Sequence, residues 1–341
     1  MPVTHNSFNP GEKILSYPEK LNSFFNGDKT LIVTEFDLTN RCNNHCPLCI
    51  GGKQGGSELS WEEIQRIVAD LKALGNQGFI LSGGGEPLLH KDFINTLYLI
   101  RRNGMKAGVN SNGLALTEES AAAIAENCEY FRISLDAGTP EVYQKTHGMD
   151  EAAFYKVLGN MRMMADIKKR LKSGISYVAG FLTNAETVHD MEAFVKISRE
   201  CGIEVVQFRP FQDDTTEIRE RYDELKARYE DDSFKILCSR QKYEEFGKVG
   251  ERGYTKCRGL FFSTVITANA RMYACLHHRQ NQDYLIADLR AGESLIDMWN
   301  YRKWIVYHGI DVTKCPQLCR NDSFNKLLES LATEVPHREF L

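Results

Sequence analysis

The chain has 341 residues, of which 42% are hydrophobic and 26% are charged, and its formal net charge at pH 7 is −4. This composition excludes disordered, collagenous and low-complexity proteins, and the mild acidity gives no overall electrostatic reason to bind nucleic acid or an anionic membrane. The sequence has no apolar run of about 18 residues and no secretory signal pattern at its start, so we expect a cytoplasmic protein.

Six short apolar segments alternate with amphipathic segments over the first two thirds of the chain. The strand candidates are residues 31–37, 78–82, 106–110, 130–136, 174–181 and 204–208, and the helix candidates are residues 61–74, 91–103, 118–127, 152–172 and 187–201. This alternation predicts an α/β fold with a parallel sheet and right-handed crossovers. Periodicity alone leaves open a doubly wound sheet and an incomplete TIM-like barrel.

The pattern changes after Pro210. A charged helix is predicted at residues 216–230 and a short strand at 234–238. A β-hairpin with strands at 261–267 and 270–275 turns at Ala268–Asn269. Two more helices are predicted, one at 294–306 and one after the last cysteine. We therefore predict four parts of the chain, which are an N-terminal extension (1–30), the barrel (31–215), a helical connector (216–250) and a C-terminal α+β domain (251–341).

The chain has 10 cysteines, and three of them form a first cysteine group directly after the first predicted strand. Cys42, Cys46 and Cys49 have the spacing C-x3-C-x2-C. Disulfides are rare in a reducing compartment, so grouped thiols indicate metal or redox chemistry. Three thiolates leave one coordination position open, which is typical of an iron site that binds a further ligand. The alternative is a zinc site of the Cys3His type with His45 as its fourth ligand.

A second cysteine group lies late in the chain and consists of Cys257, Cys275, Cys315 and Cys319. The first two flank the predicted hairpin, and the last two have the spacing C-x3-C. Four thiolates form a closed site, which suits electron transfer or a structural role rather than open-site catalysis. A structural zinc ion is the alternative. Arg320, Asp322 and Asn325 follow the last cysteine, where we expect hydrogen bonds that orient the thiolates.

Polar residues follow the second, third and fourth predicted strands. The loop Gly83–Pro87 (GGGEP) follows the second strand, Ser111–Gly113 follows the third, and the fourth ends in Ser134–Asp136. Glycine lets a ligand approach the backbone closely, and the Glu86 carboxylate accepts hydrogen bonds from an ammonium group. Ligands of β/α barrels bind at the carboxyl ends of the strands, so we expect these loops and the first cysteine group to share one site.

The ordered set CNNHCPLC, GGGEP, SNG and RISLD resembles the radical SAM superfamily over residues 31–211. The resemblance implies a partial (β/α)6 TIM-like barrel and a 4Fe–4S cluster on the first cysteine group, whose open iron chelates S-adenosylmethionine (SAM). It assigns the SAM contacts to Gly84, Gly85 and Glu86 for the ammonium group and to Asn112, Ser134 and Asp136 for the ribose or carboxylate. The sequence departs from the family at Leu48, commonly aromatic, and at His147–Gly148, where many members have Arg-Gly.

The second cysteine group resembles the Twitch version of the SPASM-type extension of radical SAM enzymes. The resemblance implies one auxiliary 4Fe–4S cluster, although the final C-x3-C is a looser match. It also implies reductive cleavage of SAM to a 5′-deoxyadenosyl radical and hydrogen abstraction from a sugar-, cyclitol- or nucleoside-like small molecule. A net oxidation is favoured, because the auxiliary cluster can accept an electron. Such an enzyme needs an external one-electron reductant such as flavodoxin or ferredoxin.

Two further residues are candidate catalytic groups. Arg209 ends the sixth predicted strand, where a cation can orient a carboxylate or phosphate, and a surface ion pair is the alternative. Tyr177 lies in the fifth strand and faces either the cavity or the wall of the barrel. The alternative functions are redox-neutral decarboxylation, epimerisation or C–C bond formation on a similar small molecule, maturation of a ribosomal peptide or protein, and non-enzymatic zinc or iron–sulfur binding.

Overall fold

The computed structural model describes residues 11–27, 30–49, 51, 55–211, 214, 216–239, 242–243, 252–317 and 319–333. The strands are Val33–Asp37 (β1), Gly78–Ser82 (β2), Lys106–Ser111 (β3), Cys128–Ser134 (β4), Ser176–Thr183 (β5), Val205–Pro210 (β6), Lys235–Cys238 (β7), Ser263–Thr267 (β8), Arg271–Tyr273 (β9) and Leu285–Asp288 (β10). The α-helices are Pro18–Phe25 (α1), Trp61–Ala73 (α2), Phe93–Arg102 (α3), Glu118–Asn127 (α4), Pro140–His147 (α5), Glu151–Leu171 (α6), Met191–Glu200 (α7), Arg219–Tyr229 (α8), Leu295–Gly309 (α9) and Asp322–Ala332 (α10).

The described strands form one 10-stranded sheet in the order β10-β9-β8-β1-β2-β3-β4-β5-β6-β7. Strands β1 to β6 are parallel, and each pairs with the next along the chain. A doubly wound sheet would reverse its strand order at one point, so this order has the winding of a barrel. The sheet is open, because β7 and β10 are its edges. The predicted α/β partial barrel is confirmed.

The sheet extends beyond the six predicted barrel strands on both sides. Strand β7 pairs in parallel with β6, and β8 pairs in parallel with β1. The predicted hairpin is formed by β8 and β9, with Ala270 in the left-handed region at φ 59°. The hairpin therefore places the C-terminal residues directly beside the first barrel strand. Residues 1–10 and 28–29 of the predicted extension, and 240–241 and 244–250 of the predicted connector, lie outside the described residues.

The helix candidates agree with the structure, and two helices, α1 and α5, and one strand, β10, are additional. Helix α2 begins at the capping box Ser60–Glu63, in which Ser60 N donates to Glu63 Oε2 at 2.8 Å and Glu63 N donates to Ser60 Oγ at 3.2 Å. Helix α5 is additional, although Thr139 caps it and Pro140 opens it, which are recognisable start signals. Strand β10 has four residues, too few for an alternating pattern to be visible. Among the described helices, none is both long and apolar enough to span a membrane.

Candidate functional site

A cavity of about 380 Å³ opens at the carboxyl ends of the parallel strands. The predicted site residues that line it are Cys42, Cys46, Cys49, Gly85, Glu86, Asn112, Ser134, Asp136 and Arg209. They come from loops and strand ends that are far apart in the sequence, and the parallel order of β1 to β6 brings them to one edge of the sheet. This is the position at which β/α barrels bind their ligands.

The first cysteine group lies on the loop between β1 and α2, and all three thiols are free. Burial, and then the neighbouring Cys49 and Cys42, raise the pKa of Cys46 to about 12. Thiolates this close repel one another, and a positively charged iron centre offsets the repulsion. No three Cys, His, Asp or Glu side chains in the described ranges stand close enough to bind one metal ion, so the fit to an iron–sulfur cluster rests on donor type and shared position.

His147 supports the first cysteine group from the end of α5. Its Nε2 lies 2.9 Å from the Leu135 carbonyl oxygen, to which it donates, so Nδ1 accepts from Asn44 Nδ2 at 3.1 Å. The same Nδ1 lies 3.5 Å from Cys46 Sγ. Burial lowers the pKa of His147, and the nearby Asp136 opposes this effect. The neutral imidazole therefore positions the loop and does not replace the cation that the family's Arg-Gly pair supplies.

Gly148 lets the cysteine loop approach helix α5. It ends the helix with φ 65°, and a Cβ at this position would lie 2.6 Å from the carbonyl oxygen of His45. The His45 N–H donates to the His147 carbonyl at 3.0 Å. His45 is exposed and does not line the cavity, so its predicted alternative role as a fourth zinc ligand gains no support from its position.

Glu86 connects the GGGEP loop to the end of β3. Its Oε1 accepts hydrogen bonds from Ser111 Oγ at 2.8 Å and Leu88 N at 3.1 Å, and its Oε2 accepts from Asn112 N at 2.8 Å. Burial raises the pKa of Glu86 to about 7, although these donors oppose the shift. The carboxylate is held rigidly at the cavity wall, as an ammonium-binding group requires.

Gly85 allows the GGGEP loop to pack on the loop that precedes the cysteines. A Cβ at Gly85 would overlap the carbonyl oxygen of Arg41, which accepts a hydrogen bond from Glu86 N at 2.8 Å. Any larger residue would push the two loops apart. Gly84, a predicted ammonium contact, lies between lining residues Gly83 and Gly85 but does not itself line the cavity.

The remaining predicted SAM contacts, Asn112, Ser134 and Asp136, line the same cavity. Asn112 Nδ2 donates to Asn43 Oδ1 at 2.8 Å and lies 3.8 Å from Cys42 Sγ, so it reaches the first cysteine group. Asp136 has φ 48° and accepts from Leu182 N at 2.7 Å through Oδ1. This strained backbone turns the Asp136 carboxylate toward the cavity at the end of β4.

The second cysteine group surrounds the β8–β9 hairpin and the start of α10. Burial, and then the neighbouring Cys257 and Cys315, raise the pKa of Cys275 to about 12. Burial, and then the neighbouring Cys275, Cys257 and Cys315, also raise the pKa of Cys319. The four thiols therefore influence one another electrostatically, and their number and donor type fit an iron–sulfur cluster.

Two carboxylates of β1 connect the barrel to the loops that carry the second cysteine group. Arg279 Nη1 donates to Asp37 Oδ2 at 2.7 Å, and its Nη2 donates to Glu35 Oε1 at 3.3 Å. Arg320, which follows Cys319, donates to Glu35 Oε2 at 2.7 Å. Sequence analysis did not identify this network, although Glu35 and Asp37 share one face of β1 by alternation.

The structure brings one of the two candidate catalytic residues to the cavity. Arg209 lines it, but Tyr177 is fully buried in the wall and donates from its hydroxyl to the Met161 carbonyl at 3.1 Å. Successive residues of a strand face opposite sides, so Tyr177 faces α6 while Gly180, three residues later, faces the cavity. The cavity also contains Arg132, which sequence analysis missed although it lies two residues before Ser134 on the same face of β4.

One family model and several curated relatives match the sequence of this chain. A family model described as the radical SAM superfamily matches residues 36–196. Fe-coproporphyrin III synthase of Methanosarcina barkeri is 30% identical over 195 residues, which cover 56% of this chain and 46% of that protein. GTP 3′,8-cyclase of Limosilactobacillus fermentum is 26% identical over 287 residues, covering 74% of this chain and 82% of the cyclase. The chain therefore spans about half the length of the first of these relatives.

A solved structure has the same overall fold. The crystal structure of Streptococcus suis SuiB bound to the precursor peptide SuiA superposes with a TM-score of 0.66 and 14% sequence identity. The superposition covers 89% of this chain and 72% of SuiB, so the likeness includes the C-terminal residues as well as the barrel. At this level of identity it establishes the fold alone.

Proposed function

We propose that this chain, whose residues 36–196 match the radical SAM superfamily, oxidises a small molecule by radical chemistry. In this proposal the first cysteine group holds a 4Fe–4S cluster that binds SAM, and the second holds an auxiliary 4Fe–4S cluster. The observation that carries the proposal is the single cavity shared by Cys42, Cys46 and Cys49, the GGGEP loop, and the ends of β3 and β4.

The residues around the first cysteine group have separate roles in binding SAM. Glu86 and the backbone of Gly85 hold the ammonium group, because both line the cavity and the buried carboxylate is already fixed by three hydrogen bonds. Asn112 and Asp136 face the ribose or the carboxylate. Fixing these groups before SAM arrives reduces the reorganisation needed for reaction.

The two cofactor sites divide the redox chemistry between them. When bound by Cys42, Cys46 and Cys49, the first cluster with SAM would supply a hydrogen-abstracting radical, and a cluster on the second cysteine group would supply an electron acceptor. Loss of one hydrogen atom, then of one proton and one electron, oxidises the substrate by two electrons for each SAM consumed. The walls of the cavity exclude water and hold the reacting carbon in place.

Modification of a peptide is a second candidate function. SuiB shares this fold over 89% of the chain, and its structure contains a precursor peptide. A redox-neutral reaction on a small molecule is the third candidate function, and zinc in the second cysteine group would favour it. The iron content of the second site therefore separates the oxidation from the redox-neutral alternative.

The test begins with anaerobic reconstitution of the full chain, followed by iron and sulfide analysis and a deoxyadenosine assay with dithionite and SAM. We expect two clusters per chain and slow deoxyadenosine formation. Cys42→Ala should abolish deoxyadenosine formation, whereas Cys315→Ala should reduce substrate oxidation more than SAM cleavage. Cys238→Ser is the matched control, because this half-buried thiol belongs to neither group. Zinc in both sites without deoxyadenosine would contradict the proposal.

A further inference from the structure

One part of the cavity carries positive charge that the proposed SAM contacts do not use. Arg132 of β4, Arg209 of β6 and Lys242 all line this part. Arg132 lies two residues before Ser134 on the same face of β4, one layer deeper in the barrel than the strand end. Arg209 is paired with Leu182, whose N–H donates to Asp136, so the cations extend from that layer to the level of the residues assigned to SAM.

Gly180 of β5 makes room for the two guanidinium groups between their strands. A Cβ at this position would lie 3.5 Å from Arg209 Nη2 and 3.7 Å from Arg132 Cδ. Gly180 is paired with Ser134 on one side and with Gln207 on the other. A larger side chain at Gly180 would fill the space over which the two arginines converge.

Each of the two guanidinium groups has a buried donor without a partner in the part of the chain that the structure describes. The Nε atoms of Arg132 and Arg209 are buried and form no hydrogen bond there, and neither group forms an ion pair with a described residue. Glu35 of β1, which lines the same cavity, is already bound by Arg279 and Arg320. Buried donors without partners cost free energy, so a pair of them facing a cavity indicates a ligand that satisfies them.

The pKa values of Arg209 and Lys242 also indicate that an anion binds here. The charge of Arg132, and then burial, lower the pKa of Arg209 to about 9, although Asp136 opposes the shift. Burial, and then the charge of Arg209, lower the pKa of Lys242 to about 8. The charged forms of Arg209 and Lys242 are therefore destabilised by neighbouring cations, and a bound anion would relieve both.

We propose that Arg132, Arg209 and Lys242 form an oxyanion subsite that binds a phosphate or carboxylate group of the substrate. Guanidinium groups bind such oxyanions through two parallel hydrogen bonds, and an ammonium group adds a point charge. The unpartnered Oδ1 of Asn110, which lines the same cavity, can accept a hydrogen bond from a hydroxyl group. The substrate is accordingly a small hydroxylated oxyanion.

The oxyanion subsite rests on the proposed function, because the ligand assigned to it is the substrate of that reaction. Binding of an anion can nevertheless be measured without any turnover. The full chain, reconstituted anaerobically, is titrated calorimetrically with sodium phosphate and, separately, with sodium malonate. Tighter binding of phosphate assigns a phosphate ester, and tighter binding of malonate assigns a carboxylate. Binding of neither probe with a Kd below about 10 mM would overturn the subsite.

Substitutions in the oxyanion subsite supply the decisive comparison. Arg132→Met and Arg209→Met should each weaken binding of the preferred probe about tenfold or more, because each removes charge-assisted hydrogen bonds. Gly180→Leu should also weaken binding although it keeps every charge, because its side chain occupies the space between the arginines. Arg170→Met, on the exposed end of α6, is the matched control and should bind the probe as the unaltered chain does.

Circular dichroism of each variant separates misfolding from a local effect, and Arg209→Lys keeps the charge if Arg209→Met does not fold. Equal probe binding by the folded Arg132, Arg209 and Gly180 variants would overturn the inference. It would also be overturned if Arg209→Met weakened binding of SAM and not of the probe, since the guanidinium would then serve the SAM carboxylate. Absence of deoxyadenosine formation would instead contradict the proposed function and leave the titrations unaffected.

Discussion

Asn325 places its side-chain amide against Cys257, with Nδ2 donating to Sγ across 3.5 Å. The Oδ1 of the same buried side chain accepts from the Gly259 backbone N–H at 2.7 Å, which fixes its orientation. Hydrogen bonds to a thiolate ligand stabilise its negative charge and tune the metal centre. We therefore predict that Asn325→Ala makes the second site lose iron to a chelator about tenfold faster, as followed by visible absorbance.

The Asn325→Asp variant separates this role from simple packing. It keeps the acceptor for Gly259 but replaces the donor to Cys257 with a carboxylate, so it should lose iron at least as fast as Asn325→Ala. Ser330→Ala, on an exposed part of the same helix, should behave like the unaltered chain. Unchanged iron release in both Asn325 variants would show that the amide only fills space.

The pair Arg279–Asp37 should contribute strongly to the stability of the contact between the barrel and the C-terminal residues. The Arg279 and Asp37 side chains are only 8% and 1% exposed. Removal of one partner from a buried ion pair leaves an uncompensated charge and costs about 3–5 kcal/mol. We expect Arg279→Met to lower the free energy of unfolding in urea by this amount.

The control for Arg279 is the exposed pair Arg228–Glu192, for which Arg228→Met should leave the free energy of unfolding nearly unchanged. A double variant, Arg279→Met with Asp37→Asn, should recover part of the loss because it removes both charges. Additive losses in the double variant would mean that the two side chains act independently.

The sequence predicted the parallel strands and both cysteine groups because those features have local signatures. Strand alternation, capping at Ser60 and cysteine spacing can all be read within short windows. The Arg279–Asp37 pair and the convergence of Arg132 with Arg209 could not be predicted in this way. They depend on which strands are neighbours and on which face each residue occupies, and these are properties of the assembled sheet.

The raised pKa of Glu86 predicts a pH-dependent affinity for SAM. Burial raises this pKa to about 7, so the carboxyl group becomes protonated as the pH falls through that value. A protonated carboxyl group no longer offers its negative charge to the SAM ammonium group. We therefore expect the Kd for SAM, measured by equilibrium dialysis on the reconstituted chain, to rise between pH 8 and pH 6, by at most about tenfold per pH unit below the pKa.

The variant Glu86→Gln should weaken SAM binding at pH 8 about tenfold or more and remove this part of the pH dependence. Glu62→Gln, at the exposed start of α2, is the matched control and should keep the profile of the unaltered chain. A pH profile that Glu86→Gln shares with the unaltered chain would assign the titration to another group.

Tyr177 should prove structural, because its hydroxyl donates to the Met161 carbonyl on α6 and its ring stacks on Phe131. Tyr177→Phe keeps the ring but removes one buried hydrogen bond, which should lower the free energy of unfolding by about 0.5–1.5 kcal/mol. Deoxyadenosine formation and substrate turnover, measured below the unfolding transition, should stay within about a factor of 2, since about 0.4 kcal/mol of barrier is a twofold rate change. A large loss of substrate turnover with an unchanged free energy of unfolding would instead indicate a catalytic role for Tyr177.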